Sequence, residues 1–382
     1  MNGDVGKRSC DVLVIGGGIA GAACAYYLAG EGVDVTLVEA HDLATQASGT
    51  NAGSIHLQIQ HPEFVSLGEG WARTYAPTLR LLKQSLALWQ GLSAELGEEL
   101  DVKLAGGLVV ATTQEQMRQI AAKAAIEATE GVETVVLGRD DLRAVAPYLT
   151  EAAIGAGFCA MEGKANPLRA TFAFARRATE RGARILAGTR VTGIARAGDR
   201  YTVATTAGTF AARRVVNAAG ASAAEIARML GVEIAISGFP LQVTVTEPVA
   251  PIIPHLVYSA AGKLSLKQAA NGTCLIGGGW PSRERGDGRL AVIPESLTGN
   301  MQRAADVVPA IAPVRAVRTW TATVNGTDDW RPLIGEVPGH AGFFLALFPW
   351  VGFSAGPMTA RLVADLVLGR PPRLSLDGIS AI

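Results

Sequence analysis

The chain has 382 residues, more than one small core needs, and its 49% hydrophobic and 18% charged residues exclude a disordered polypeptide. Lysine plus arginine and aspartate plus glutamate number 34 each, so the net charge is zero. Nothing there calls for nucleic acid or an acidic membrane surface, while self-association or a partner subunit is mildly favoured.

Residues 10–15 form a short apolar run ending in glycines, as a buried parallel strand does. Lys7 and Arg8 before it resemble the start of a leader, but Asp11 interrupts the run and Gly16, Gly17, Gly18 and Gly21 suit a tight turn. Residues 19–30 are alanine-rich and helical, stopped by Gly30 and Gly32, and 33–39 form the next strand, which completes a βαβ unit. Helical spacing covers 71–96, followed by a strand at 108–112, a helix at 114–129, a strand at 135–137 and a helical turn at 140–144. A helix at 168–182 leads into a strand at 184–187, then a β-meander at 191–196, 201–205 and 209–216, then a helix at 221–230. Strands at 241–246, 264–268 and 274–278, a helix at 294–308, a strand at 343–347 and a closing helix at 357–368 complete the chain. The uncharged run 341–360 is long enough to span a bilayer, yet Gly342, Pro349, Gly352, Gly356 and Pro357 divide it into strand, loop and helix start. No transmembrane segment is expected. Cys10, Cys24, Cys159 and Cys274 form no CxxC pair, which predicts buried reduced thiols and a cytoplasmic protein.

Gly16-x-Gly18-x-x-Gly21 follows a strand and opens a helix, with Glu39 at the end of the second strand. The glycines allow a tight turn and close approach of a pyrophosphate. The first helical residues, Ile19 and Ala20, offer free N–H groups to that anion. Glu39, followed by Ala40, suits the two ribose hydroxyls of an adenosine and would repel a 2′-phosphate. The small residues Ser48, Gly49, Asn51, Ala52, Gly53 and Ser54 suit a loop around a second phosphate or a ring edge. An apolar strand ends in Ala219 and Gly220, again suited to close backbone approach.

These motifs, in this order, resemble those of the D-amino-acid oxidase-like flavoenzyme family, with glycine and sarcosine oxidases among its members. The resemblance covers nearly the whole chain. It rests on GGGIAGAACAYYLA with Glu39, on SGTNAGS, on VVNAAG, on Trp320 with the run to Pro332-x-Ile334-Gly335, and on Gly352-Phe-Ser-Ala-Gly356-Pro. It implies noncovalent FAD and an α/β architecture: a Rossmann-like FAD-binding domain of the glutathione-reductase type (1–80, 140–222, 318–382) interleaved with a mixed-sheet substrate-binding domain (81–139, 223–317). It also places backbone near Val191 at the adenine, and Gly335, Gly352, Phe353, Ser354, Gly356 and Pro357 near the flavin, with Gly352 and Ser354 at the reacting centre. Such an enzyme takes a hydride from a carbon next to nitrogen, needs no metal, and relies on positioning.

The family run W-A-G-x-R-P-x-T-x-D-x-x-P-x-I-G aligns without a gap, but its carboxylate-binding arginine is Val324 here. Replacement candidates are His56, Lys263, Lys267 and Arg331, with Gln242 and Gln268 as weaker pocket residues. His56, Gln58 and Gln60 alternate with apolar neighbours, as one face of a strand toward a cavity would. His56 is then a catalytic or substrate residue; its alternative is a satisfied structural histidine.

SGTNAGSIHLQ, RTWTATVNGTDDWRPLIG and FPWVGFSAGP resemble most the flavoprotein subunits of opine oxidases, hydrogen cyanide synthase and D-hydroxyproline dehydrogenase. That resemblance implies an opine or imino acid as substrate, partner subunits with iron–sulfur or flavin centres, and a cytoplasmic place or one peripheral to the inner membrane. The rival is a stand-alone oxidase of glycine, sarcosine or D-amino acids that uses oxygen. An NAD-dependent dehydrogenase would leave the middle and C-terminal glycine segments unexplained, and a non-catalytic scaffold would not keep residues 352–357 intact.

Overall fold

The computed structural model describes residues 8–380. Strand Arg8–Ile15 is central in the first sheet, parallel to Val35–Val38 on one side and to Gly208–Asn217 on the other. Beyond these lie Arg184–Leu186 at one edge, and Phe343–Leu347 and then Leu333–Glu336 at the other. Val12, Leu13, Val14 and Ile15 are all buried, as in a parallel strand covered on both faces. Helix Ile19–Gly30 returns over this sheet and packs against Pro167–Glu180 and Gly352–Val367. Gly356 makes the last contact close, since a Cβ there would stand 2.6 Å from Ile19 Cγ2.

The second sheet runs Ala316–Gly326, Ser237–Pro248, Thr273–Gly277, Gly262–Gln268, Leu256–Ser259, Gly107–Ala111, Gly155–Cys159, Val135–Gly138. Its pairs are antiparallel except Leu256–Ser259 with Gly107–Ala111. Helix Pro294–Val307 packs on it.

Several expectations change. Gly155–Cys159 and most of Ala316–Gly326 lie in spans expected to be FAD-binding (140–222 and 318–382), yet both are strands of the second sheet. Gly155, Ala156 and Gly157 carry no β-branched side chain, so nothing local marks that strand. The helical span 71–96 is two helices, His61–Tyr75, kinked at Gly68 (φ 81°), and Thr78–Leu96, separated around Pro77. The closing helix starts at Gly352, a turn earlier than expected, with Pro357 inside it. Residues 56–60 are irregular; the strand there is only Ser54–Ile55, paired with Gly163–Lys164. The four cysteines are buried and free, and no described helix is long and apolar enough to cross a membrane.

Candidate active site

A cavity of about 1350 Å³ is bordered by residues of both sheets. At one end it is made of backbone. A Cβ at Gly16 (φ 111°) would sit 2.5 Å from Ala218 O, and one at Gly18 would sit 2.9 Å from Ser48 Oγ. Only glycine lets these three segments close on one another. Helix Ile19–Gly30 begins its own ladder with Ala22 N–H to Gly18 O (2.9 Å), and of the N–H groups ahead of it those of Gly18 and Ala20 are left for an anion. Ser48 Oγ accepts that of Ile19 at 2.9 Å. Glu39 Oε2 accepts the Gly17 N–H at 2.6 Å and Oε1 the His41 N–H at 2.8 Å, so its carboxylate is fixed at the strand end. Thr189 N–H donates to Glu39 O (2.7 Å), which brings Arg190 and Val191 to this end. The arrangement suits the adenosine and pyrophosphate of a dinucleotide.

The other end is made of side chains. His56 Nδ1 meets Tyr258 Oη at 2.7 Å. Burial, reinforced by the charge of Lys267, lowers the His56 pKa to about 3, so the imidazole is neutral. The Tyr258 phenol is pushed well above its ordinary range by burial. Beneath them Lys267 Nζ donates to Ser54 Oγ and to Ser265 Oγ (3.0 Å), and it makes no ion pair among the described residues. Burial, with Lys164 nearby, brings its pKa down to about 7. Ser354 is a tie: its Oγ accepts the His56 N–H (2.8 Å) and donates to Ser54 O (3.2 Å). Its carbonyl accepts from Ser85 Oγ (2.6 Å) and Trp89 Nε1 (3.0 Å).

Two buried carboxylates hold the cavity wall from behind. Glu162 Oε1 accepts the N–H groups of Leu57 (2.6 Å) and Gln58 (2.8 Å), and Oε2 accepts Gln58 Nε2 (2.9 Å). Glu127 Oε1 accepts the Ile59 N–H (2.7 Å) and pairs with Lys123 Nζ (2.6 Å). Irregular backbone with no ladder partner is satisfied in this way.

A family model described as FAD dependent oxidoreductase, DAO, matches residues 11–366. The chain belongs to the DAO family. It is a FAD-dependent oxidoreductase acting on amino acids or amines. It is 29% identical to the sarcosine oxidase beta chain of Arthrobacter sp, over 87% of this chain and 80% of that one. The B component of opine oxidase from Rhizobium meliloti is 25% identical, over 88% and 87%. Glycine oxidase of Geobacillus kaustophilus is 29% identical over 94% and 92%. The crystal structure of glycine oxidase from Geobacillus kaustophilus superposes with a TM-score of 0.87, covering 98% of this chain and 99% of that one.

The DAO cradle fits FAD on the geometry above. Gly16, Gly18, Ile19, Ala20, Glu39, Ala40, Ser48, Asn51, Ala52, Ser54, Val191, Ala219, Gly220, Gly352, Phe353, Ser354 and Gly356 all border the cavity, whereas Gly21, Gly49, Gly53, Gly335 and Pro357 do not. Gly21, Gly49 and Gly53 serve packing one layer back, where a Cβ would meet Gly16 O at 1.9 Å, Ala44 O at 2.0 Å and Ala165 O at 2.4 Å. Of the substrate candidates, His56 and the exposed Lys263 border the cavity. Gln58 borders it too, but its amide is turned back onto Glu162, Lys123 and Gly107 O. Gln242 also borders the cavity: its Oε1 accepts the Ile293 N–H (2.9 Å), and its buried Nε2 has no hydrogen-bond partner among the described residues. Gln268 binds the backbone of Ile252, Ile253, Val249, Ala250 and Gly272. Arg331 donates to Ser380 O (2.8 Å) near the chain end. Among the cavity residues that were not foreseen are Tyr258, Phe239, Trp330 and Trp350. Trp330 and Trp350 stand inside quoted motifs; Tyr258 lies on a short strand, Leu256–Ser259, without alternation to reveal it.

Proposed function

We propose that this flavoenzyme removes a hydride from the carbon next to nitrogen in an amino acid with a secondary amine, opines and cyclic imino acids included, and that water hydrolyses the resulting imine. FAD, held noncovalently around Gly16, Glu39 and Ser48, supplies the hydride acceptor when bound. Val324 carries the reading. It shares a strand face with Trp320, and an apolar side chain stands where the family pattern anchors a carboxylate. A small amino acid held chiefly by that anchor loses its hold.

Hydride loss needs a neutral amine, and the pocket favours that form. His56 is neutral, Tyr258 keeps its proton, and burial penalises a further charge beside Lys267. Ser54 borders the cavity and touches Lys267 Nζ; when Lys267 is a neutral amine, Ser54 takes the substrate's proton on Oγ as it hands its own hydroxyl proton to Nζ. Tyr258 and Glu162 hold His56 and its neighbours in place, and Lys263 at the mouth meets a carboxylate.

The likeness to single components of sarcosine oxidase and opine oxidase, each named as one subunit of its enzyme, supports a catalytic subunit whose partners lead electrons away, in the cytoplasm or peripheral to the inner membrane. The likeness to glycine oxidase over nearly its full length supports the second reading, a stand-alone oxidase that releases hydrogen peroxide. Anaerobic titration of the FAD-loaded protein tests the reaction. Bleaching by proline or sarcosine and not by glycine is expected, and bleaching by glycine alone would overturn it. Admitting air then separates fast reoxidation with peroxide from slow reoxidation that awaits a partner.

A further inference from the structure

We infer that the amine's second substituent is a flat apolar group, an arylmethyl for instance, and that it packs on a wall made by Phe239, Trp330 and Trp350 beside Val324. The inference rests on the secondary-amine reading and narrows it.

Val324 and Gly326 share one face of strand Ala316–Gly326, and Phe239 is the cross-strand partner of Val324. At Gly326 a Cβ would stand 2.4 Å from Trp350 Cζ2 and 2.7 Å from Phe239 Cε2, so both rings lie over the strand next to Val324. Phe239 and Trp350 have centroids 4.4 Å apart, and Trp330 stacks on Trp350 at 5.0 Å and 20°. The three rings border the cavity. Both tryptophans adopt left-handed backbone, φ 67° at Trp330 and φ 62° at Trp350, which a bulky residue rarely does without a functional reason. Trp350 is held there by its N–H to Asn325 O (2.8 Å) and its Nε1 to Thr327 O (3.0 Å). The rings are therefore fixed before a ligand arrives.

Charge points the same way. Among the described cavity residues the lysines and arginines are Lys263 and Arg190, and Arg190 is at the adenosine end. Lys263 offers a cation to one carboxylate; a second carboxylate on the nitrogen substituent would face aromatic rings with no cavity cation left for it.

The test uses the FAD-loaded protein and non-oxidisable acids, read by the shift of the visible flavin bands and by tryptophan fluorescence. 4-Phenylbutanoate, which replaces the nitrogen of N-benzylglycine by carbon, binds at least about tenfold more tightly than butanoate or glutarate. Trp350→Ala, or Phe239→Leu if that variant does not fold, removes most of this preference and leaves butanoate affinity unchanged; Val324→Arg turns it toward glutarate. Equal binding of phenylbutanoate and butanoate, or glutarate binding best, overturns the inference. So does a Trp350→Ala protein that loses FAD but keeps the preference, since the wall would then serve the cofactor. Rapid bleaching by sarcosine and none by N-benzylglycine sinks the inference and spares the secondary-amine reaction. Tight phenylbutanoate binding with no bleaching by any amine does the reverse.

Discussion

The two ends of the cavity are built by different means. At the nucleotide end the contacts are backbone N–H groups and glycine spaces, and the two residues that define them, Gly17 and Glu39, are 22 positions apart in one βαβ unit. At the other end the contacts are side chains from separate segments: His56 meets Tyr258 across 202 positions and Ser354 across 298. A backbone-made site follows from local spacing, so it repeats from protein to protein. A site of converging side chains follows from topology and can exchange an arginine for a valine and tryptophans without disturbing the cradle.

That contrast is tested most severely at Gly21. A Cβ there would lie 1.9 Å from Gly16 O, so Gly21→Val is expected to give colourless or insoluble protein even with added FAD. A soluble variant with a full complement of FAD would show that the turn tolerates what its geometry forbids. At the opposite end, Glu162→Ala removes a buried acceptor of two backbone N–H groups and one amide, at a cost of ~3–5 kcal/mol. Hydrogen exchange should accelerate at residues 57–59 and stay unchanged around Gly16. Equal protection in both proteins would mean that packing alone holds the wall.

Lys267 sharpens the comparison through pH. Its ordinary pKa of 10.5 falls to about 7 in the folded chain. Above the unfolded value neither state is charged, and stability is full. As pH falls from there toward 7 the unfolded chain takes up a proton that the folded chain refuses, so stability drops, and below 7 the loss is constant. Lys267→Met is therefore expected to be more stable at neutral pH by a few kcal/mol, on the order of 1.4 kcal/mol for each pH interval of one between the two pKa values, with the gain vanishing at high pH. A wild-type-minus-variant melting difference that does not change with pH would disprove it. The smallest effect is expected at Glu39→Gln, where a charge-assisted acceptor becomes a neutral one: FAD affinity falls about tenfold, measured by fluorescence titration, with carboxylate-ligand affinity unchanged.

Much of this molecule was legible in the chain alone. The run before Gly16, the helix Ile19–Gly30 and the position of Glu39 follow from hydrophobic period and glycine spacing, which act over a few residues. Helix Gln114–Thr129 was equally legible, and the structure adds a capping box at Thr113 and Gln116. The arginine missing at Val324 was visible too, because a motif frame around it is intact. Tertiary structure decided the rest. That Gly155–Cys159 belongs to the second sheet depends on its partners Gly107–Ala111 and Val135–Gly138, which no local pattern encodes. Gln58 and Lys267 read as cavity residues from their position, yet one is drawn back by Glu162 and the other lies beneath Ser54. The burial that makes His56 neutral and lowers Lys267 comes from the packed walls around them. Spacing specifies which backbone groups are free; only the folded chain specifies which side chains meet, how dry they are and hence what charge they carry.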